Sequence, residues 1–143
     1  MILVDANLLV YSHDASAAEH IAAKEWFEGV LARPARVGLP WPSVLAFVRL
    51  VSNSAIVRRP ITPAAAWRYV VQWLAQPNVW VPLPGEQHPA LLGELLSDRR
   101  VTSRMVPDAH LAALALEHGL ILCSTDGDFA KFPQLRWENP LVS

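Results

Sequence analysis

Short apolar runs recur along this 143-residue chain, and stretches with helical periodicity separate them. Ile2-Leu3-Val4 is the first of these runs. Continuous apolar runs of this length are typical of strands buried on both faces of a parallel sheet. We predict further strands at 37–39, 79–81, 120–123 and 135–137. This alternation predicts an α/β fold, a three-layer α/β/α sandwich with a mostly parallel sheet of four to five strands.

Capping residues and prolines predict where the helices begin and end. Ser16-Ala17-Ala18-Glu19 has the capping-box pattern, which predicts that a helix begins there and ends at Pro34. Thr62-Pro63 places a capping hydroxyl before a proline at the first helical position. Pro107 begins another helix, which Gly119 ends. Two more helices are predicted at 42–53 and 89–96.

Composition excludes several classes of protein. Hydrophobic residues make up 52% of the chain and charged residues 17%, which excludes disorder caused by high charge. One cysteine excludes a disulfide framework and a cysteine-rich zinc site. No apolar stretch approaches the roughly 20 residues that span a bilayer, and no signal peptide is recognisable. We therefore expect a single cytoplasmic domain over 1–143 that does not enter a membrane.

Aspartates follow the predicted strands at one edge of the sheet. Asp5 comes directly after the first strand, and Asp126 and Asp128 come directly after the fourth. Asp108 lies in the first turn of the helix that leads into the fourth strand. Ligands of open parallel sheets bind outside the carboxyl ends of the strands. Repulsion among these carboxylates favours a bound cation, and hard oxygen ligands suit Mg²⁺ or Mn²⁺. The residues alone thus predict a divalent-metal site for phosphoryl chemistry.

Each of these acids also has an ordinary structural explanation. Asp108 would complement the dipole of its helix, and Asp126-Gly127-Asp128 would form an Asx turn. Asp5 is harder to explain in this way, because a carboxylate beside a buried strand is costly without a partner.

Three segments carry a resemblance to a known family. Residues 2–7 (Ile-Leu-Val-Asp-Ala-Asn) resemble the opening of a PIN domain. Residues 107–115 (Pro-Asp-Ala-His-Leu-Ala-Ala-Leu-Ala) resemble the helix that carries that family's third acid. Residues 124–132 resemble its last motif, Thr-x-Asp-x-Asp-Phe. The order of the motifs, their spacing and the length of the chain are similar to bacterial VapC-type toxins of type II toxin–antitoxin modules.

The resemblance implies an Mg²⁺- or Mn²⁺-dependent endoribonuclease that a VapB-type antitoxin inhibits. By motif position it implies three catalytic, metal-binding carboxylates and a fourth metal ligand: Asp5, Asp108 and Asp126, then Asp128. Asn7 would orient Asp5 through its amide. Thr125 would hydrogen-bond a carboxylate or the attacking water.

One position departs from the family pattern. Many PIN domains carry a second acid as Glu-x-x-Arg on the helix after strand two, where this chain has Ala46-Phe47-Val48-Arg49. Arg49 is present, but no acidic residue lies between Glu28 and Glu86. The metal would lose one ligand, with Asp128 as the available substitute. The departure leaves open a weak or altered nuclease, or the normal pattern of a subgroup.

Residues other than the acids are needed to bind the substrate. An acidic pocket repels phosphate, so an RNA substrate needs basic residues around it, and the candidates are Arg49, Arg99, Arg100 and Arg104.

The helix from Pro42 has apolar residues on both sides, with Phe47 and Leu50 opposite Val44 and Val48. In the next helix, Trp67 and Trp73 cannot both lie on one apolar stripe. Excess apolar surface of this kind predicts a homodimer, and the VapC-type resemblance also implies a pair.

Two other functions remain open at this stage. The first is a non-catalytic PIN-like or receiver-like binding module whose acids receive a partner's arginine, a reading that Ala46 favours. The second is a phosphatase similar to haloacid dehalogenases, whose Asp-x-Asp motif is Asp5-Ala6-Asn7 here. Asn7 cannot act as a general acid, which argues against the phosphatase.

Overall fold

The structure is a computed structural model that describes residues 1–142, and it has five strands between two layers of helices. The strands are β1 (Ile2–Val4), β2 (Val37–Gly38), β3 (Val79–Trp80), β4 (Ile121–Cys123) and β5 (Trp137–Glu138). The helices are α1 (Ala6–His13), α2 (His20–Leu31), α3 (Trp41–Val51), α4 (Pro63–Leu74), α5 (His88–Leu96) and α6 (Val106–His118). The sheet order is β3-β2-β1-β4-β5, and every neighbouring pair is parallel. The predicted three-layer α/β/α sandwich is confirmed.

The sheet separates two apolar clusters because successive side chains of a strand point to opposite faces. Leu3 packs with residues of α5 and α6, such as Leu95 and Leu114. Val4 packs on the other face with residues of α1 to α4, such as Phe47. The central strand is therefore buried on both sides, as its continuous apolar run predicts.

The register of β1 against β4 determines what meets at the carboxyl edge. Val4 lies opposite Cys123, so the next residues, Asp5 and Ser124, leave the sheet side by side. The backbone N–H of Asp5 donates to the carbonyl of Cys123 at 3.0 Å and extends the pairing by one residue. The ends of two strands that are far apart in sequence are thus joined at this edge.

Helix α1 is absent from the sequence-based expectations, and the capping box predicted for α2 is wrong. Helix α1 begins directly after β1, and its consecutive buried residues, among them Leu8 and Leu9, lack the periodicity of an amphipathic helix. The N–H and the hydroxyl of Ser16 both donate to Asp14 Oδ1. Because this nearby acceptor engages Ser16, α2 begins only at His20 and has no side-chain cap.

Other boundaries agree with the sequence more closely. Thr62 Oγ1 accepts a hydrogen bond from the N–H of Ala65 at 3.1 Å and caps α4 as predicted. Gly119 ends α6 with a φ of 67°, a left-handed conformation that favours glycine. Strand β5 begins two residues later and ends one residue later than the predicted 135–137. In the part of the chain that the structure describes, no helix is long and apolar enough to cross a membrane.

Candidate metal centre

Asp5 is fixed at the junction of β1 and α1 by two short hydrogen bonds. It is the N-cap of α1, and its Oδ1 accepts from the N–H of Ala6 at 2.7 Å. Its Oδ2 accepts from the hydroxyl of Ser124 at 2.7 Å. Burial raises the pKa of Asp5, and the two hydrogen bonds oppose that rise. The partners that the sequence demanded for this buried carboxylate are thus present.

Ser124 holds the site together, and sequence reasoning missed it. Its fully buried hydroxyl donates to Asp5 and accepts from Asn7 Nδ2 and from the N–H of Asp126, both at 3.0 Å. The hydroxyl that reaches Asp5 therefore belongs to Ser124 and not to the neighbouring Thr125. Thr125 contributes its backbone N–H, which donates to Asn7 Oδ1 at 3.4 Å. The spacing of the motif Thr-x-Asp-x-Asp-Phe, which aligns its threonine with Ser124, was the signal that could have identified this residue.

Asn7 lies beside Asp5, where the family resemblance expects it. Its Nδ2 donates to Asp5 Oδ2 at 3.4 Å and to Ser124 Oγ at 3.0 Å. The amide spans the ends of β1 and β4, so it restrains the same carboxylate oxygen that Ser124 contacts.

Three carboxylates from two separate segments form a cluster at this edge. One oxygen from each of Asp108, Asp126 and Asp128 lies within 4.8 Å of the other two. Asp108 is in the first turn of α6, and Asp126 Oδ1 accepts from the N–H of Asp128 at 2.9 Å in an Asx turn. The helix-terminus and Asx-turn explanations of these acids are thus compatible with a shared site. Asp5 is outside this group of three but close enough for its charge to act on Asp108.

The cluster is electrostatically unfavourable without a cation. Burial and, after it, the nearby carboxylates of Asp126, Asp5 and Asp128 together raise the pKa of Asp108 to about 6. Arg104 opposes this rise. An oxygen-only donor set with mutual repulsion fits a hard divalent cation such as Mg²⁺ or Mn²⁺.

Two basic side chains hold Asp128 on opposite sides. Arg104 Nη2 lies 3.0 Å from Asp128 Oδ2, and Lys131 Nζ lies 3.3 Å from Asp128 Oδ1. Arg104 was among the arginines expected around the site, whereas Lys131 was not expected. Asp128 thus faces both a carboxylate cluster and two cations.

Among the described residues, none of the other three predicted arginines forms an ion pair with the carboxylates of the site. Arg100 Nη2 binds Asp98 Oδ2 at 2.8 Å and the carbonyl of Lys131 at 2.9 Å. Arg99 and Arg49 are exposed, and neither forms an ion pair with another described residue.

Neither position 46 nor Cys123 adds a reactive group to the site. Ala46 is half-buried, and α3 supplies no carboxylate. Burial raises the pKa of the Cys123 thiol to about 12, which makes it inert.

Comparisons with known proteins show which family and fold this chain shares. A family model described as PIN domain matches residues 2–135. Ribonuclease VapC37 of Mycobacterium tuberculosis is 38% identical over 140 residues, which cover 98% of this chain and 97% of that protein. Mycobacterium tuberculosis VapC20, a toxin that cleaves the sarcin–ricin loop, has the same fold, with a TM-score of 0.67, 19% identity and 91% and 93% coverage. A chain of a toxin–antitoxin complex from Klebsiella pneumoniae matches with a TM-score of 0.64 and 18% identity, and the match covers 98% of this chain and 98% of that chain.

Proposed function

This chain belongs to the PIN-domain family, and on that premise we propose that it is a metal-dependent endoribonuclease, the toxin of a toxin–antitoxin pair. The ribonuclease VapC37, which matches almost the whole chain, supports the reaction class. The carboxylate cluster of Asp108, Asp126 and Asp128 next to Asp5 is the observation that carries the proposal. It favours Mg²⁺ or Mn²⁺ as the cofactor.

Each acidic residue has a distinct part in the proposed site. Asp5, Asp108 and Asp126 are the catalytic carboxylates that would hold the cation, with Asp128 as a fourth ligand. A bound divalent cation activates water as a nucleophile and stabilises the charge that develops on a phosphodiester. Ser124 and Asn7 keep Asp5 Oδ2 in one orientation.

Basic residues counter the repulsion between the acids and RNA phosphates. Arg104 and Lys131 both form ion pairs with Asp128, a member of the carboxylate cluster. Arginine binds phosphate through a planar fork of donors. We assign Arg104 the closest contact with RNA, and Arg99, Arg100 and Arg49 the outer contacts.

A VapB-type antitoxin is the proposed protein partner, which the structural likeness to a toxin–antitoxin complex supports. An arginine of that partner would place two charge-assisted hydrogen bonds on the carboxylates and cancel their repulsion. Inhibition would then compete with the divalent cation. Raising Mg²⁺ should weaken the complex more than Na⁺ at equal ionic strength, which controls for screening. Equal effects of the two salts would contradict this mode of inhibition.

The proposed activity is tested by incubating the purified chain with ribosomal RNA in Mg²⁺, in Mn²⁺ and in EDTA. We expect cleavage only with the metals. Asp5→Asn should lower the rate by about 100-fold or more, because a ligand of the nucleophile-generating metal is changed. Glu25→Gln, an exposed carboxylate on α2, is the matched control and should cleave normally. Cleavage by Asp5→Asn at the normal rate would contradict the proposal, and RNA binding without cleavage would favour a binding module.

We propose a homodimer through the surface of α3 and α4, as first expected, but with different residues of α3. Phe47 is fully buried in the core, so its part in the sequence argument is wrong. Trp41, Leu45 and Trp67 instead remain 41%, 57% and 39% exposed. The rings of Trp41 and Trp67 stack with centroids 6.3 Å apart. Clustered exposed aromatic residues are typical of interfaces.

A further inference from the structure

A cleft of about 490 Å³ lies between the end of α1 and the connection from α3 to α4. One wall is formed by residues 13–16, and the other is formed by Val57, Arg58, Arg59 and Ile61. Both arginines are exposed, and neither forms an ion pair within residues 1–142. The cleft is thus lined by two guanidinium groups without acidic partners.

The segment that carries these arginines is held in place at both ends. Val57 is buried, and its N–H donates to the carbonyl of Asn53 at 3.1 Å. The N–H of Ile61 donates to the carbonyl of Val51 at 3.0 Å. Because the backbone on each side is anchored, Arg58 and Arg59 are presented to the cleft without a large ordering cost.

The single carboxylate among the lining residues, Asp14, offsets only one of the two arginine charges. Asp14 Oδ1 already accepts from the N–H and the hydroxyl of Ser16, at 3.1 Å and 2.6 Å. His13 packs its ring edge against Phe47 and Tyr69, and burial lowers its pKa. The lining therefore has a surplus of positive charge from the two arginines.

Charge is divided unevenly along the sequence, although the formal net charge is only −1. All 13 acidic residues lie outside the stretch between Glu28 and Glu86. Six arginines lie inside that stretch: Arg33, Arg36, Arg49, Arg58, Arg59 and Arg68. Arg58 and Arg59 therefore lie within a long stretch that contains no acidic residue, which favours contact with a polyanion.

The cleft and the site residue Asp5 lie at opposite ends of one helix. Asp5 caps the N-terminus of α1, and Asp14 caps its C-terminus. At 1.5 Å per residue, the eight residues of α1 separate the two ends by about 12 Å. With an axial rise of 3.4 Å per nucleotide in a stacked strand, this distance corresponds to about three to four nucleotides.

We infer that this cleft is a second contact site for the RNA strand, in which Arg58 and Arg59 bind phosphates a few nucleotides from the scissile bond. The inference rests on the proposed ribonuclease function and extends it. The acids then act on one phosphodiester, while the two arginines bind the same strand about three to four nucleotides away. Arg58 and Arg59 contribute to substrate affinity and do not touch the reacting atoms.

The test compares Arg58→Gln/Arg59→Gln with Arg33→Gln/Arg36→Gln, which removes the same charge at the amino end of β2. Binding of a labelled 12-nucleotide single-stranded RNA is measured by fluorescence anisotropy in EDTA over a salt series. Each phosphate contact on a single strand contributes a slope of about 0.7, so the loss of two contacts lowers the slope by about 1.4. Extrapolated from 1 M salt, the same relation gives about 25-fold weaker binding in 0.1 M salt. With metal present, KM should rise and kcat should stay unchanged.

A second variant tests the cleft without removing the arginines. Ala15→Glu adds a carboxylate to the exposed end of α1, and we expect it to weaken RNA binding as well. Thermal unfolding confirms that each variant is folded. Equal effects of the two double variants would overturn the inference, and so would unchanged RNA binding by Arg58→Gln/Arg59→Gln. Failure of the unchanged chain to cleave RNA would instead contradict the proposed function.

Discussion

The hydroxyl of Ser124 donates a 2.7 Å hydrogen bond to the carboxylate of Asp5, across a sequence separation of 119 residues. This contact joins the ends of β4 and β1, and it makes Ser124 a positioning residue of the proposed metal centre. Groups that orient metal ligands are typically worth 10- to 100-fold in affinity or activity.

Ser124→Ala should therefore lower kcat/KM for RNA cleavage by roughly 10- to 100-fold. The hydrogen bond from Ser124 lowers the pKa of Asp5, so its loss should move the acidic limb of the pH profile to higher pH. Ser124→Thr, which keeps the hydroxyl, should restore part of the activity. Ser43→Ala is the control, because Ser43 is also buried but its hydroxyl has no partner among the described residues. An unshifted pH profile would reduce Ser124 to a structural role.

Asp108→Asn should stabilise the metal-free protein while it removes activity. The folded-state pKa of Asp108 is raised to about 6, so ionising this group opposes folding above its ordinary pKa of 3.8. Allowing for solvent screening, the gain at pH 7.5 is about 1 kcal/mol, or roughly 3 °C in Tm. The gain should shrink as the pH falls through 6 towards 4, because Asp108 of the unchanged chain is then protonated in the folded state.

Asp98→Asn provides a contrast of opposite sign in the same experiment. The ion pair with Arg100 lowers the pKa of Asp98 to about 2, so its ionised form does not oppose folding. We expect its Tm to be unchanged or lower at pH 7.5. If both variants raise Tm equally, the gain at Asp108 comes from charge removal in general and not from the cluster.

Lys131→Gln should tighten binding of Mn²⁺ and weaken binding of RNA. Removing the ammonium at 3.3 Å frees Asp128 Oδ1, and ion pairs of this exposure are worth up to about 1 kcal/mol. Calorimetry should show Mn²⁺ affinity up to about fivefold higher, together with a larger KM for RNA. Lys24→Gln removes a similar lysine–carboxylate pair with Glu28 on α2 and should change neither value. Unchanged Mn²⁺ affinity would mean that Asp128 does not bind the metal.

Trp67→Ser should convert the proposed homodimer to a monomer, because it removes one ring of the exposed Trp41–Trp67 stack. Light scattering at micromolar concentrations measures the change in mass. Ile21→Ser is the control, since Ile21 is 72% exposed on α2 and outside the stack. A monomeric mass for the unchanged chain would contradict the dimer directly.

The fold and the positions of the acids could be predicted from local sequence patterns, whereas the hydrogen-bond partners of the acids could not. The apolar run at residues 2–4 and the capping pair Thr62-Pro63 act on neighbouring residues, so the sequence was sufficient to predict them. Helix α1 escaped prediction because burial on several sides removes the periodicity that identifies a helix. Ser124 escaped because the hydroxyl of the motif Thr-x-Asp-x-Asp-Phe was expected at Thr125, although the spacing aligns it with Ser124. Its contact with Asp5 further depends on strand register, which brings together residues that the sequence keeps far apart.

Asp5 both caps a helix and belongs to the proposed site, so the choice of substitution at Asp5 determines what an inactivation experiment measures. Its Oδ1 caps α1 and its Oδ2 faces the hydroxyl of Ser124, so one side chain serves both folding and the site. Asparagine caps a helix about as well as aspartate, whereas alanine at a cap costs about 1 kcal/mol. Asp5→Asn therefore separates chemistry from folding, while Asp5→Ala confounds lost activity with lower abundance in the cell. Survival of cells that express the alanine variant would say little about catalysis.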